Sequence, residues 1–285
     1  MNCKAGNLLL AAAAAALAMT ATSCPARRTD GYRPPPADDP VAAFADNWAP
    51  LEAMSGAYRA RFRYADGKRV PLTANMVVER GARLRVDLSS DRGSEAIVII
   101  VPELINLVNL RDRYHVREEN TPHNAGRMIG IYLPPEEVAA ILCGRGFEPG
   151  RFSQVYADPA DGGGAYLRAY HAGEDLRVDA YVDAYGRLRS ARYIDGRSDE
   201  PIVAVSYRGF RLDGESGIVW PGTTEIELAQ SGEQITLSAL RVDVNPTGLD
   251  LDFIFLPRER GSRLWLDDVP PGPPLLYRSA REYVQ

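Results

Sequence analysis

The second half of the chain alternates apolar and polar residues with period two, and this alternation restricts the chain to a mainly β fold. Segments such as Ala165–His171 and Leu176–Val182 place every second apolar side chain on one face, as a half-buried strand requires. Glycine-containing turns at 161–164 and 184–186 separate such segments. Short turns join antiparallel neighbours, so the sequence predicts an antiparallel meander of roughly eleven strands.

The first half adds further strands of two kinds. Residues 58–64 and 70–79 alternate in the same way and are joined by an Asp-Gly turn, which predicts a hairpin. Residues 97–101 and 104–110 instead carry apolar side chains at both parities. That pattern is typical of strands covered on both faces, so something must lie over them.

Two segments have helical periodicity. Residues 41–54 place apolar side chains at helical spacing, and Pro50 is expected to end or kink that helix. Residues 133–144 begin with prolines and carboxylates and end at a glycine, as helices commonly do. The apolar stripe of this second helix makes it the best candidate to cover the two-sided strands. The stripe consists of Val138, Ile141 and Leu142.

The N-terminus has the charged, apolar, small-residue order of an export signal, followed by Cys24. Its apolar stretch at 8–19 is too short to span a bilayer, which takes about 20 residues. Residues 24–40 are rich in proline and predict an extended tether. The alternative to an anchoring role for Cys24 is an ordinary cleaved signal, in which Cys24 has no role of its own. The predicted parts are a signal peptide at 1–23, a tether at 24–40, a domain at 41–256 and a loosely attached Pro-rich tail at 257–285.

Composition argues against nucleic-acid binding and against disulfides. The formal net charge is −5, and the arginines are scattered through alternating segments rather than clustered on one basic face. Apart from Cys3 and Cys24, the only cysteine is Cys143, so the domain cannot form an internal disulfide. We expect Cys143 to be a small buried hydrophobe.

The sequence contains no recognisable catalytic or metal motif. His115, His123 and His171 lie far apart and lack ligand spacing. Asp158 and Asp161 precede a run of glycines, but the rest of a calcium loop is missing, which indicates a solvated hairpin turn. There is no nucleophile elbow, phosphate-binding glycine loop or zinc motif. We therefore expect no enzyme activity, cofactor or metal.

Several short strings carry a resemblance to a known family. They are the lipobox-like 21–24, the helix around Trp48, residues 128–134 leading to 142–144, and Trp220-Pro221. Together they make the chain similar to the LolA/LolB-like lipoprotein carriers, and closest to the LolB branch. The resemblance covers most of residues 41–256.

The resemblance implies an incomplete, strongly bent antiparallel β-barrel whose concave face, covered by helices, holds lipid acyl chains. It further implies that Cys24 is lipid-modified and that the protein is anchored in the outer membrane at the periplasmic face. Its partners would be lipid acyl chains or lipoproteins, received from a periplasmic carrier protein. One position departs from the family pattern: the loop residue that inserts into the membrane is apolar in the family and is Arg92 here. Because burying a charge in lipid is costly, the inserting role is not expected of Arg92.

Two functions remain open from the sequence. The favoured one is a lipid-binding envelope lipoprotein, and the alternative is a structural or interaction lipoprotein whose cavity is filled by its own side chains. Apolar stripes alone do not separate a pocket from a dry core. The residues expected to line a ligand cavity are Tyr58, Phe62, Ile97, Ile99, Val138, Ile141 and Leu142.

Overall fold

The computed structural model describes residues 35–80, 83–147, 149–171, 175–247, 249, 262–263, 265–269 and 274–277. The predicted signal peptide, Cys24 and residues 250–256 of the predicted domain lie outside these ranges. The described residues belong to the compact unit Gly31–Gln285.

Within the described residues, fourteen strands form one sheet. They are β1 (Ala53–Arg63), β2 (Arg69–Glu79), β3 (Arg83–Ser90), β4 (Gly93–Val101), β5 (Leu104–Asn109), β6 (Tyr114–Glu119), β7 (Phe152–Pro159), β8 (Ala165–His171), β9 (Leu176–Val182), β10 (Leu188–Asp195), β11 (Pro201–Leu212), β12 (Val219–Leu228), β13 (Glu233–Val244) and β14 (Ser262–Arg263).

The sheet consists of two antiparallel meanders that meet at its centre. Strands β1 to β6 form one meander and β7 to β13 form the other, and β1 pairs with β13. The short β14 pairs in parallel with β6. Since β14 and β7 occupy the two ends of the order, the sheet is open and not a closed barrel. The predicted mainly antiparallel β fold is confirmed. The predicted count of roughly eleven strands is too low. One strand that the sequence did not predict is the two-residue β14, which lies in the predicted tail.

A β-bulge interrupts the central pairing. Ala57 lies opposite Arg241 and Tyr58 lies opposite Ala239, which leaves Leu240 as an extra residue on β13. The extra residue allows apolar side chains on both sides of it to keep facing the core. A bulge near Ala239 and Leu240 follows from their change of parity in the sequence.

Helix α1 (Pro40–Trp48) precedes the first strand. The Asp39 carboxylate accepts hydrogen bonds from the backbone N–H groups of Val41 and Ala42, so it caps the helix. Phe44 and Trp48 lie one turn apart and are both buried. The helix predicted at 41–54 is therefore confirmed but ends earlier, before Pro50.

Helices α2 (Pro122–Ile129) and α3 (Pro135–Cys143) lie in the connection between β6 and β7. Helix α3 matches the prediction and ends at Gly144, whose φ of 89° is the left-handed conformation that glycine adopts readily. The sequence analysis did not predict α2. Both helices cover one face of the sheet, which we call the helix-covered face; the opposite face is called the open face.

The main core lies between the helix-covered face and the helices. Fully buried side chains there include Leu107, Met128, Ile141 and Tyr193. Cys143 is also buried, as expected. Among the described residues, no helix has both the length and the apolar character needed to cross a membrane.

Candidate functional site

A cleft of about 1060 Å³ lies where the β1–β2 and β3–β4 hairpins end. Its apolar lining comes mainly from the helix-covered face of the sheet, with one residue from the C-terminal segment. This volume is at the upper end of the range of small-molecule sites. The apolar lining residues are Phe62, Val70, Leu72, Leu88, Ala96 and Leu276.

The cleft exists because β2 extends further along β1 than it does along β3. The pairing of β1 with β2 continues to Arg63 and Arg69, but the pairing of β2 with β3 begins only at Thr73 and Ser89. Residues 69–72 of β2 therefore project past the end of β3. Part of the cleft lies beside this projecting edge, where β2 has no paired strand.

Charged residues form the rim of the cleft. The guanidinium of Arg111 lies 3.6 Å from Glu95, and the Ser90 hydroxyl also donates to the Glu95 carboxylate. Arg92 is exposed in the β3–β4 turn, where its backbone N–H donates to the Ser90 hydroxyl at 3.0 Å. The position that corresponds to the family's inserting residue thus lies on the rim of the cleft and carries a charge.

The C-terminal segment closes one side of the cleft. Leu266, Val269 and Leu275 are buried in the main core, and Leu276 lines the cleft. The Tyr114 hydroxyl donates to the carbonyl of Leu275 at 2.9 Å. For these described residues the expected loose attachment is wrong, because the segment carries apolar side chains that the core accommodates.

Arg127 of α2 also binds the C-terminal segment through hydrogen bonds. Its Nη2 donates to the carbonyls of Leu266 and Val269, each at 2.6 Å, and Arg127 is part-buried. Hydrogen bonds to charged groups are stronger than neutral ones, and the two carbonyls lie one turn apart. Arg127 therefore sets the path of the segment that carries Leu276 to the cleft.

We expect Arg127→Met to loosen the C-terminal segment and to lower the free energy of unfolding by about 1–2 kcal/mol. Hydrogen exchange at the amide of Val269, which donates to the Leu266 carbonyl, should accelerate in the variant. Arg117→Met is the matched control, since Arg117 is exposed on β6. Equal exchange in both variants would contradict the anchoring role of Arg127.

The structure brings five of the predicted cavity residues onto the helix-covered side. Phe62 lines the cleft itself. Tyr58 is 6% exposed, and Val138 and Ile141 are 0% exposed, so these three are part of the packed core. Leu142 is half-buried and packs against the same core.

The structure separates the other two, Ile97 and Ile99, from this group. They form a distinct cluster with Val108 on the open face of the sheet. The main core takes the alternate residues of β4, which are Ala96, Val98 and Ile100. Successive strand residues face opposite sides, so residues 97 and 99 cannot share a cavity with Val138. The sequence does not show which residues of β4 face the main core, because apolar side chains occupy both parities of this strand.

Buried hydroxyl groups attach α3 and its following turn to β10 and β11. The Tyr193 hydroxyl donates to the Gly146 carbonyl and lies 3.1 Å from Glu137 Oε2. The Tyr207 hydroxyl donates to the Ile141 carbonyl at 3.3 Å. Burial raises the pKa of Tyr193 well above its usual range, and the nearby Glu137 charge raises it further. These phenols are neutral hydrogen-bond donors that hold the helix on the sheet.

A buried carboxyl beside the rim predicts a pH effect on stability. Glu233 is 7% exposed, and burial raises its pKa above the ordinary value of 4.5, with the Asp66 charge adding to the effect and the Ser231 hydroxyl opposing it. Because the folded state has the higher pKa, its stabilising contribution is present at low pH and is lost as the pH rises through the folded-state pKa. We expect Glu233→Gln to gain stability relative to the parent chain as the pH rises from about 4 to about 7. Denaturant unfolding at several pH values tests this, and a difference that does not change with pH would contradict it.

The described residues contain no group of three or more His, Cys, Asp or Glu side chains that could hold a metal ion. His171 contacts Phe152 edge to face and accepts a hydrogen bond from Arg151 at 3.3 Å. These are packing contacts at the edge of the sheet. The contacts that the cleft offers are apolar surface and charged rim groups, which suit binding.

Comparison with known proteins identifies the fold. No protein-family model matches the chain, and no curated protein sequence matches it. Among solved structures, a domain from Vibrio parahaemolyticus named as an outer membrane lipoprotein-sorting protein domain is similar, with a TM-score of 0.55 at 10% identity. That similarity covers 75% of this chain and 95% of the other. A LolA superfamily protein from Nitrosomonas europaea is similar with a TM-score of 0.51 at 12% identity, covering 73% and 92%.

The chain therefore shares the fold of these two structures, and in this chain that fold is an open antiparallel sheet with helices on one face. At such low identity the likeness is one of fold. Membership of the LolA/LolB-like superfamily and of its LolB branch both stay predictions.

Proposed function

We propose that the protein binds lipid acyl chains or lipoproteins in the cleft between the β1–β2 and β3–β4 hairpins, as part of lipid or lipoprotein trafficking in the bacterial envelope. The observation that carries the proposal is the cleft of about 1060 Å³, with an apolar wall and charged residues around it, on the helix-covered side of a LolA-type sheet. The binding would be sequestration: acyl chains leave water for the apolar wall that Phe62, Leu72 and Leu276 provide.

The energetics of this mechanism suit an acyl chain. Each buried methylene contributes about 0.8 kcal/mol, so burying eight methylenes contributes roughly 6 kcal/mol before the costs of association. No specific polar contact is needed for that affinity. The charged rim then keeps the polar end of the ligand in water.

We further propose that Cys24 carries the lipid anchor and holds the domain at the periplasmic face of the outer membrane, on the tether 24–40. Stable anchoring needs more than one acyl chain, which a lipid-modified N-terminal cysteine supplies. A periplasmic carrier protein would deliver the ligand, as the LolB resemblance implies. Because Arg92 stands where the family has an apolar wedge, this protein would accept and hold its cargo by a route that does not use that wedge.

Native mass spectrometry of the full-length chain purified in detergent tests the binding proposal. We expect a copurifying acylated molecule, or rebinding of added monomyristoylglycerol after removal of the native ligand. Failure to retain or rebind any acylated molecule would refute the proposal. The mass of a retained ligand would also identify the cargo.

Fractionation of cells tests the anchor separately. We expect Cys24→Ser to move the protein from the outer-membrane fraction to the soluble periplasmic fraction and to abolish labelling by palmitate. Cys143→Ser is the control, because Cys143 is buried and should leave fractionation unchanged. Continued membrane attachment and labelling of Cys24→Ser would refute the anchor.

A second candidate is a structural or interaction lipoprotein on the same scaffold. Its support is the complete burial of Val138 and Ile141, which shows that the region between α3 and the sheet is filled by side chains. Under this alternative the cleft is a surface feature, and the mass spectrum shows the bare chain before and after addition of monomyristoylglycerol.

A further inference from the structure

A second depression, of about 1080 Å³, runs across the open face of the sheet. It crosses the strands from β7 to β13 and lies on the face opposite the helices. Strands lie about 4.8 Å apart, so seven strands give it a length of roughly 30 Å. We call this depression the cross-strand groove.

Short side chains form its floor. On the open face, Ser190 of β10 lies opposite Ser206 of β11, which lies opposite Glu225 and then Thr236. Ala204 occupies the neighbouring row, opposite Arg192 and Glu227. Ser190, Ser206 and Ala204 are small, so an elongated molecule can approach the sheet closely at these positions. The longer side chains of Arg192, Glu225 and Glu227 lie beside them in the same rows.

Four tyrosines from β7, β8 and β9 form one end of the groove: Tyr156, Tyr166, Tyr170 and Tyr181. Tyr156 is 56% exposed and Tyr166 is 59% exposed, which is unusual for large aromatic side chains. The rings of Tyr166 and Tyr181 lie 5.2 Å apart with planes inclined by 37°, and those of Tyr156 and Tyr170 lie 6.3 Å apart, edge to face. The aromatic end is therefore a set of four adjacent tyrosine rings, two of which are more than half exposed.

Two carboxylates of the groove are paired with arginines. Arg168 Nε donates to Asp179 at 3.0 Å, and Arg208 donates to Glu225. Acidic residues outnumber basic ones along the lining, since Asp158, Asp179, Glu225 and Glu227 lie there with Arg168 and Arg192. A groove with this balance repels polyanions and offers many donors and acceptors to an uncharged partner.

We propose that the cross-strand groove binds a linear, uncharged oligosaccharide. Pyranose rings have one weakly positive C–H face, which is attracted to the negative face of an aromatic ring, and equatorial hydroxyls that need donors and acceptors in the same plane. The tyrosines provide the aromatic rings. The Ser, Gln, Arg and carboxylate groups of the floor provide the hydrogen-bond donors and acceptors. The length across several strands suits a chain of several sugar units.

Other occupants fit less well. A lipid chain would contact the hydroxyls of Ser190 and Thr236, which would lose water without gaining partners. A nucleic acid would meet the excess of carboxylates. A protein partner would be expected to meet an apolar centre with a polar rim, whereas here the centre is polar and the aromatic residues lie at one end.

Isothermal titration of the full-length chain with chitohexaose, cellohexaose and maltohexaose tests the proposal. We expect at least one of them to bind with a dissociation constant of about 1 mM or tighter. Tyr166→Thr and Tyr181→Thr should each weaken that binding by roughly tenfold, the loss expected for one aromatic contact. Threonine retains a β-branched side chain, so both strands should still form.

Leu240→Thr is the matched control. Leu240 is 55% exposed on β13 and does not line the groove, so its replacement should leave sugar binding unchanged. Failure of all three sugars to bind would refute the proposal, as would binding that the two tyrosine variants leave intact. The groove and the cleft are on different parts of the sheet, so loss of acyl-chain binding would leave this result unaffected.

Discussion

Ile141→Ala is expected to lower the free energy of unfolding by about 2–5 kcal/mol. Ile141 is 0% exposed at the contact between α3 and the sheet, and its carbonyl accepts the Tyr207 hydroxyl. The shorter side chain leaves a cavity that the backbone cannot easily fill, because α3 is held there by Tyr207 and by the Tyr193 contact with Glu137. Chemical denaturation of the parent and variant chains measures the difference.

Leu142→Ala provides the comparison within the same helix. Leu142 is next in sequence but half-buried, so its truncation removes fewer contacts and should cost less than half as much. A comparable loss from both substitutions would mean that α3 is not seated on the sheet by the Ile141 side. A negligible loss from Ile141→Ala would mean that the region is not a tightly packed core.

Much of the fold was accessible from the sequence because most strands are solvated on one face. In β8, Ala165, Leu167 and Ala169 are buried while Tyr166 and Arg168 between them are exposed, so the alternation identifies both the strand and its inner face. The same reasoning located the bulge at Leu240, because only an extra residue restores the parity. Local patterns are sufficient to predict a strand and its buried face where the other face of the strand is exposed to solvent.

The patterns were insufficient where both faces are covered. In β4, Ala96, Val98 and Ile100 belong to the main core while Ile97 and Ile99 belong to the separate cluster, and an apolar run contains no signal that distinguishes them. Helix α2 was missed because its eight residues are too few to give a clear helical periodicity. Its Thr121-Pro122 start and its Gly130 end are recognisable capping signals that could have revealed it.

The cleft itself could not have been predicted from local patterns. It depends on β2 continuing past its last pairing with β3 at Thr73 and Ser89, and on the C-terminal segment returning to place Leu276 beside Phe62. The extension of β2 depends on the register between β2 and β3, which local patterns do not determine. The placement of Leu276 is a contact across most of the chain, made by a segment whose many prolines predict an extended tail.

Leu72→Asp is expected to weaken binding of monomyristoylglycerol at least about tenfold. Leu72 is half-buried in the projecting part of β2, where it lines the cleft. The substitution removes the contacts of about two methylenes with the ligand, roughly 1.6 kcal/mol, and it requires an acyl chain to displace the water around a carboxylate. An uncharged monoacylglycerol is used so that repulsion between ligand and carboxylate does not contribute. Native mass spectrometry across a ligand titration measures the change.

Leu240→Asp makes the same chemical change outside the cleft. Leu240 is 55% exposed on β13, so the variant should bind the ligand as the parent chain does. Weakening by both variants to the same extent would mean that added negative charge acts on binding from a distance, and the cleft would not be the acyl-chain site. Unchanged binding by Leu72→Asp would place the ligand elsewhere. Selective loss at Leu72 would locate the acyl chain along the projecting edge of β2, where it takes the position that a longer β3 would have filled.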